Sequence, residues 1–235
     1  MQTLKLLKET NKIVFFGGAG TSTESGIPDF RSAGGIYSKA PEEWLSSTYL
    51  YRHSEDFYDF YKKTMLYPDA KPNRGHEILQ EWEEKGKLLG IITQNVDGLH
   101  QKAASKNVVE IHGSVERNYC ELCRKRYSLQ DVIDQEGIPY CSCGQMIRPD
   151  VVLYGEMLND RVVQKATNLL RKAELLIVGG TSLVVYPAAG MLQYFGGDHI
   201  IMINKGSTSY DRRANLVLRN GFSEDMIYLD KEMFK

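Results

Sequence analysis

The stretch Ile13-Val14-Phe15-Phe16-Gly17-Gly18-Ala19-Gly20-Thr21-Ser22-Thr23-Glu24-Ser25 runs from four apolar residues into a glycine-rich turn and then a series of small hydroxyl side chains. So short and continuous an apolar run fits a strand covered on both faces, as in parallel sheets. Glycines after such a strand let the backbone approach a pyrophosphate, and a helix starting at Thr21–Ser25 would offer free N–H groups to the anion. The same residues also suit a tight strand-to-helix turn that holds no ligand. The hydride-transfer fingerprint is incomplete: Thr23 stands at the third glycine position, and the acidic residues some 20 positions on, Glu42 and Glu43, follow no strand.

Outward from this turn, short β-branched runs recur at Leu88–Thr93, Val108–His112, Val151–Tyr154, Leu175–Gly179, His199–Asn204 and Leu216–Leu218. Helical spacing lies between them at Gly75–Lys85, Asp160–Lys172 and Pro187–Phe195, with Pro187 suited to a first helical turn. Strands alternating with helices predict α/β architecture, a Rossmann-like parallel sheet. Two segments interrupt the alternation. One is rich in Tyr, Ser and charge, with helical patches at Glu42–Leu50 and Glu55–Leu66; the other, Glu116–Pro149, holds all four cysteines. The expected division is a Rossmann-like part of residues 1–34, 76–115 and 151–235, a helical insert of 35–75 and a metal-binding module of 116–150.

Cys120-Glu121-Leu122-Cys123 and Cys141-Ser142-Cys143 are separated by seventeen residues. In a reducing compartment such a cluster reads as a metal site sooner than as two disulfides. Four thiolates suit tetrahedral zinc, and a set of four protein ligands leaves the ion no open position for chemistry. The second pair is one residue tighter than Cys-x-x-Cys, so a metal-free hairpin and disulfides remain as alternatives.

Several ordered motifs lie on the same chain: Gly18-Ala19-Gly20-x-Ser22-x-x-Ser25-Gly26-Ile27-Pro28-Asp29-Phe30-Arg31, then Thr93-Gln94-Asn95-Val96-Asp97-Gly98-Leu99-His100, then His112-Gly113. Further on come Arg148-Pro149-Asp150-Val151-Val152, Tyr154-Gly155-Glu156, Gly180-Thr181-Ser182-Leu183 and Pro187-Ala188. This pattern resembles the sirtuin family over nearly the whole chain. Read alone, Gln94–Asp97 at a strand end is also a capped helix start, and a single histidine is more often structural than catalytic. Val96 departs from the family's usual Ile, and Gly17 from its common Thr.

The resemblance implies NAD-dependent removal of acetyl or short acyl groups from protein lysine, giving nicotinamide and O-acetyl-ADP-ribose. It implies His112 as the base, which fits an imidazole that titrates near neutral pH, with Asn95 and Asp97 beside it. It implies a nicotinamide pocket against Ile27, Asp29, Asn95, Val96 and Asp97. Gly18, Ala19, Gly20, Ser22, Gln94, Gly180, Thr181, Ser182 and Asn204 would hold the rest of the dinucleotide, with Phe30 shielding the sugar and Arg31 ordering the loop. Val152, Tyr154, Gly155, Glu156 and Val185 match the substrate cleft. Relatives that remove acidic acyl groups share a Tyr-x-x-Arg pair; an ungapped count back from Lys71-Pro72-Asn73 puts Phe60 and Lys63 there, and a one-residue shift puts Tyr61 and Thr64.

An ADP-ribosyltransferase would use the same NAD pocket, and a zinc-ribbon binding module would account for the cysteines alone. A formal net charge of −1 lacks the basic excess of nonspecific nucleic-acid binders. No run approaches the ~20 apolar residues of a membrane helix, and no secretory signal precedes Ile13. The expected setting is cytoplasmic, as a monomer or weak dimer that binds acetyl-lysine proteins or peptides.

Overall fold

The structure is a computed structural model and describes residues 2–235. In chain order its regular elements are α1 (Gln2–Glu9), β1 (Ile13–Gly17), α2 (Ser47–Arg52), α3 (Ser54–Thr64), α4 (Arg74–Glu84), β2 (Leu88–Thr93) and α5 (Leu99–Lys102). There follow β3 (Val108–Glu110), β4 (Gly113–Cys120), β5 (Arg126–Ser128), α6 (Leu129–Ile133) and β6 (Ile147–Val151). The last are α7 (Asp160–Lys172), β7 (Leu175–Gly179), β8 (His199–Ile203), β9 (Leu216–Leu218) and α8 (Phe222–Met233).

Six strands form one parallel sheet in the order β3-β2-β1-β7-β8-β9. Counted within the sheet this is the doubly wound order, whose direction reverses between β1 and β7. The alternation of side chains along each strand divides the core. Val14, Phe16, Ile92, Leu176 and Val178 pack on one face with Leu170 of α7. Ile13, Phe15, Ile91, Leu175 and Ile177 pack on the other with Leu7, Trp82 and Leu229 of α1, α4 and α8. All four apolar residues of β1 are wholly buried, each contributing about 1.5–3 kcal/mol of transfer free energy.

A second, antiparallel sheet has the order β5-β4-β6. Its core joins Val115, Cys120, Ile147 and Val151 to Leu50, Phe57, Tyr58 and Tyr61 of α2 and α3. Here several expectations are corrected. The run Val151–Tyr154 is not a parallel strand: β6 ends at Val151, and Tyr154 makes only an isolated bridge with Ser46. Arg148, Pro149 and Asp150 interrupt the apolar pattern of the true strand, which lies earlier.

The strand read as Val108–His112 stops at Glu110, leaving His112 in the tight turn into β4, where Gly113 has φ +80°. Pro187–Phe195 forms a 3₁₀ segment over Ala189–Tyr194, with Pro187 ahead of it. Glu42–Leu50 divides into a 3₁₀ turn at Glu42–Leu45 and α2, which Ser46 caps by accepting from Tyr49 N. No helix is long and apolar enough to cross a membrane among the described residues.

Candidate active site

The site lies where the sheet order reverses. Gly17 closes β1, paired with Thr93 of β2 on one side and Gly179 of β7 on the other. Beyond it Gly18 N donates to Gly179 O and Gly20 N to Gly180 O, at 3.1 and 2.8 Å. A Cβ on Gly20 would stand 2.8 Å from Gly180 Cα, and one on Gly18 2.8 Å from Thr181 Cβ. Gly180 has φ +59°, and a Cβ there would meet Thr21 N at 2.3 Å. These glycines are required for two loops to close against each other. The segment after them is not an α-helix: Ala19–Thr21 and Thr23–Ser25 are separate 3₁₀ turns, ended by Gly26 at φ +86°. The expected α-helix N-terminus is therefore absent, because this stretch has no apolar stripe to pack a longer helix.

A cleft of about 700 Å³ opens over these strand ends, within the range of pockets that enclose small ligands. Gly18, Ala19 and Gly20 line it from the first turn, and Asp29, Phe30 and Arg31 from the loop beyond. Gln94, Asn95 and Val96 enter from the end of β2; Gly180, Thr181, Ser182 and Asn204 enter from the loops after β7 and β8. Gln94 Nε2 donates to Thr181 Oγ1 at 3.0 Å, tying two of these loops together. Asp29 Oδ1 accepts from the N–H groups of Arg31 and Ser32, so it shapes its own turn. Asn204 Nδ2 donates to Gly206 O.

Ser22 and Asp97 are not among the lining residues; they stand behind Asn95. Asn95 Nδ2 donates to Thr21 Oγ1 and Ser22 Oγ, each at 3.0 Å. Ser22 Oγ in turn donates to Asp97 Oδ2 at 2.6 Å. Asp97 Oδ1 accepts from Leu99 N, so Asp97 supports the start of α5 from one residue ahead of the N-cap, which is Gly98 and not Asp97 or Asn95. Burial raises the Asp97 carboxyl above its usual range, against the opposing hydrogen bonds from Ser22 and Leu99. Ile27 is not among the lining residues.

His112 faces the cleft from the β3–β4 turn. Its Nδ1 lies 3.0 Å from Gln94 O, and burial lowers its pKa below 6.5 while that carbonyl opposes the shift. On the other wall lie Val152, Tyr154, Gly155, Glu156 and Val185. Tyr154 Oη meets Tyr37 Oη at 2.9 Å and accepts from Arg31 Nη2 at 3.3 Å, while Arg31 pairs with Glu42 at 2.8 Å.

The helical segment adds wall residues that the motifs did not reveal: Tyr37, Leu45, Tyr61 and Met65. Tyr61 and Met65 are four apart and share a face of α3 and its C-cap. Phe60 and Lys63 are not in the wall. Phe60 packs edge-on against Trp44, with ring centroids 5.3 Å apart, and Lys63 is exposed and paired with Asp59. The one-residue shift fits better at Tyr61 but fails at Thr64, whose hydroxyl donates back to Phe60 O. For Tyr61 the shifted pair was a sequence signal; for Tyr37, Leu45 and Met65 there was none beyond the density of aromatics.

The cysteines form a separate cluster. All four Sγ atoms lie within 4.8 Å of one another, with Cys120–Cys143 and Cys123–Cys141 both at 3.5 Å. Tetrahedral zinc with bonds near 2.3 Å spaces its sulfurs by about 3.8 Å, so the set fits the ion. The short Cys-x-Cys pair converges because its turn is closed by Gly144 N donating to Cys141 O, with Gly144 at φ +85°.

The Sir2 family model matches residues 18–187, a span that includes the glycine turn, Gln94–Asp97, His112 and all four cysteines. The chain belongs to the Sir2 family. An "NAD-dependent protein deacetylase" from Clostridium acetobutylicum is 52% identical over 228 residues, 94% of this chain and 93% of the relative. A Sir2 structure with deacetylated p53 peptide and 3'-O-acetyl ADP ribose superposes with a TM-score of 0.91 at 41% identity, covering 98% of this chain and 97% of that one. A Sir2 structure with p53 peptide and NAD⁺ gives 0.87 at 40% identity, covering 98% and 97%. The parallel sheet with a smaller cysteine-bearing module is thus the Sir2 architecture.

Proposed function

We propose that the cleft removes acetyl groups from lysine side chains of proteins at the expense of NAD, with the site residues in the following roles. The observation that carries this is His112, held by Gln94 O at the mouth of a dinucleotide-sized cleft at the sheet's switch point. NAD, when bound, supplies ADP-ribose as the acceptor of the acyl group. The backbone of Gly18, Ala19 and Gly20 with Gly180, Thr181, Ser182 and Asn204 holds the dinucleotide. Asn95 orients its amide end, fixed from behind by Ser22 and Asp97. Phe30 excludes water, and Arg31 fixes its loop through Glu42 and Tyr154. Nε2 of His112 takes a proton from a hydroxyl in the cleft, the work of a general base.

Val152, Tyr154, Gly155, Glu156 and Val185 receive the acetyl-lysine peptide in extended form. Cys120, Cys123, Cys141 and Cys143 hold a structural zinc that leaves the ion no open position. A four-cysteine zinc cluster fits a reducing cytoplasm, and the net charge of −1 fits a protein without a nucleic-acid partner; a monomer or weak dimer is the proposed form. Incubation with NAD and an acetyl-lysine peptide should yield O-acetyl-ADP-ribose, seen by mass spectrometry. ADP-ribose attached to protein in its place would make the chain a transferase to protein, and no NAD consumption would remove both readings.

A further inference from the structure

Among the described residues Arg148 is the one buried arginine, with its side chain 8% exposed, and it is used by nothing in the chemistry above. Its fork reaches four segments. Nη2 pairs with Glu156 at 2.6 Å and donates to Val151 O at 3.4 Å. Nη1 donates to Tyr51 Oη of α2 at 3.1 Å and lies 3.6 Å from Glu121 Oε1. Glu121 sits between Cys120 and Cys123, and also accepts from Tyr51 Oη. On the other side Glu156 Oε2 accepts from Leu153 N at 2.9 Å, closing the turn Leu153-Tyr154-Gly155-Glu156 in which Gly155 has φ +88°. That turn carries Tyr154 and Gly155 into the cleft wall.

We infer that Arg148 is a positioning residue for the peptide substrate, holding the 153–156 turn in shape and coupling it to the first cysteine knuckle. The inference rests on the proposed binding of peptide at that turn. A carboxylate bound by both a backbone N–H and a guanidinium is held in one rotamer, and the guanidinium's planar fork lets one side chain reach the turn and the knuckle together. Lysine keeps the charge but has no fork, so it serves Glu156 or the Tyr51–Glu121 pair and not both. The buried charge also makes partial loss expensive, because a remaining partner is left without its counter-ion. Gly18–Gly20, Gln94–Val96 and Gly180–Ser182 make no contact with Arg148 in this network; the turn's one named tie toward the cofactor loop is the 3.3 Å bond from Arg31 to Tyr154 Oη, and Glu42 also holds Arg31, so NAD affinity should change less than peptide affinity.

The test uses the full chain, with peptide affinity read by fluorescence anisotropy of a labelled acetyl-lysine peptide, NAD affinity by calorimetry and zinc by elemental analysis. Arg148→Lys is expected to weaken peptide binding by on the order of tenfold, the scale of a lost charge-assisted contact, with NAD affinity within about twofold of wild type and zinc retained. Glu156→Gln should weaken peptide binding in the same direction. Stripping zinc from the wild type should also weaken peptide binding, and should add little in Arg148→Lys, since coupled groups are non-additive. Unchanged peptide affinity in both variants, or equal loss of peptide and NAD affinity, overturns the inference. If Arg148→Lys fails to fold, Glu156→Gln and Glu121→Gln carry the same comparison. Wild-type protein that binds peptide yet makes no O-acetyl-ADP-ribose would defeat the reaction and leave the role of Arg148 standing.

Discussion

Nδ1 of His112 lies 3.0 Å from the carbonyl oxygen of Gln94. A carbonyl only accepts, so Nδ1 carries the hydrogen and Nε2 is the free lone pair of the neutral ring. One backbone contact, between the ends of β2 and β3, thereby selects the tautomer that can act as a base toward the cleft. Burial is the larger influence on its pKa and lowers it, with the Gln94 hydrogen bond opposing. The proposed base would work when neutral, and a lowered pKa extends the neutral range downward. The acid limb of kcat/KM should therefore have its midpoint below pH 6.5, and His112→Ala should reduce turnover by roughly 10²–10⁴ while NAD still binds. A midpoint above 6.5 with the limb lost in His112→Ala would contradict the environment described; a variant with near wild-type turnover would remove His112 from the reaction.

The cysteine cluster makes a second prediction. Purified protein should carry about one zinc per chain, because a closed four-thiolate set binds the ion as part of folding. Cys123→Ser should lose that zinc and melt roughly 5 °C or more lower, at about 2–4 °C per kcal/mol for a chain of this size. A fully active sample without zinc by elemental analysis would refute this.

A third prediction concerns acid stability. His76 and His100 are buried edge-to-face with ring centroids 4.7 Å apart, beside Phe15 and Phe222. His76 Nε2 and both nitrogens of His100 have no partner among the described residues. Burial lowers His76 to about 4, and burial together with His76 lowers His100 well below 6.5. The unfolded chain binds these protons near pH 6.5 and the folded chain does not, so stability is fully present above about 6.5 and falls as pH drops toward 4. For His76 the shift corresponds to about 3 kcal/mol. Urea midpoints should thus fall steadily from pH 7 to 5, and less so in His100→Phe, which removes a titrating group and two unpaired atoms. Equal pH slopes for both proteins would show that the pair does not titrate as described.

The legible parts of the sequence were those with one dominant local cause. β1, β2, β7 and β8 are apolar runs largely buried on both faces, β9 is a half-buried apolar run at the sheet edge, and each stands where its run lies, though β8 ends one residue short at Ile203. The helices α4 and α7 announce themselves by spacing, and the structure adds the caps Asn73 and Asn159 that start them. The small sheet did not: β4 reads Gly-Ser-Val-Glu-Arg-Asn-Tyr-Cys and is half-exposed, and β6 contains Arg148 and Asp150, whose roles depend on distant partners. α1 and α8 went unread because their apolar faces are completed by packing on the sheet and on α4. In the site, motif residues fell around one cleft, yet the division between wall and support was invisible. Ser22 and Asp97 sit in the motifs like Asn95, and only the folded chain shows them behind it.

The last prediction is the range of acyl groups. The wall contributed by the helical segment is Tyr37, Leu45, Tyr61 and Met65, with Phe30 beside them in the lining, and none of these is a cation. Lys63 points into solvent with Asp59, and Arg31 is engaged by Glu42 and Tyr154. Tyr61 is fully buried, and its hydroxyl has no partner among the described residues. A succinyl or malonyl carboxylate entering here would lose its hydration and meet only phenol hydroxyls, that of Tyr61 and that of Tyr37, the latter already bonded to Tyr154. The penalty for a charge so placed is several kcal/mol, and a phenol cannot offer the guanidinium's paired donors. Acetyl and butyryl groups are neutral and avoid it. On one peptide, kcat/KM for acetyl-lysine should exceed that for succinyl-lysine by on the order of 100-fold or more. Tyr61→Phe should leave the succinyl form no better, because the deficit is a missing cation and not the hydroxyl. Succinyl turnover equal to acetyl turnover would show that a cation reaches the cavity, and would overturn this account of its wall.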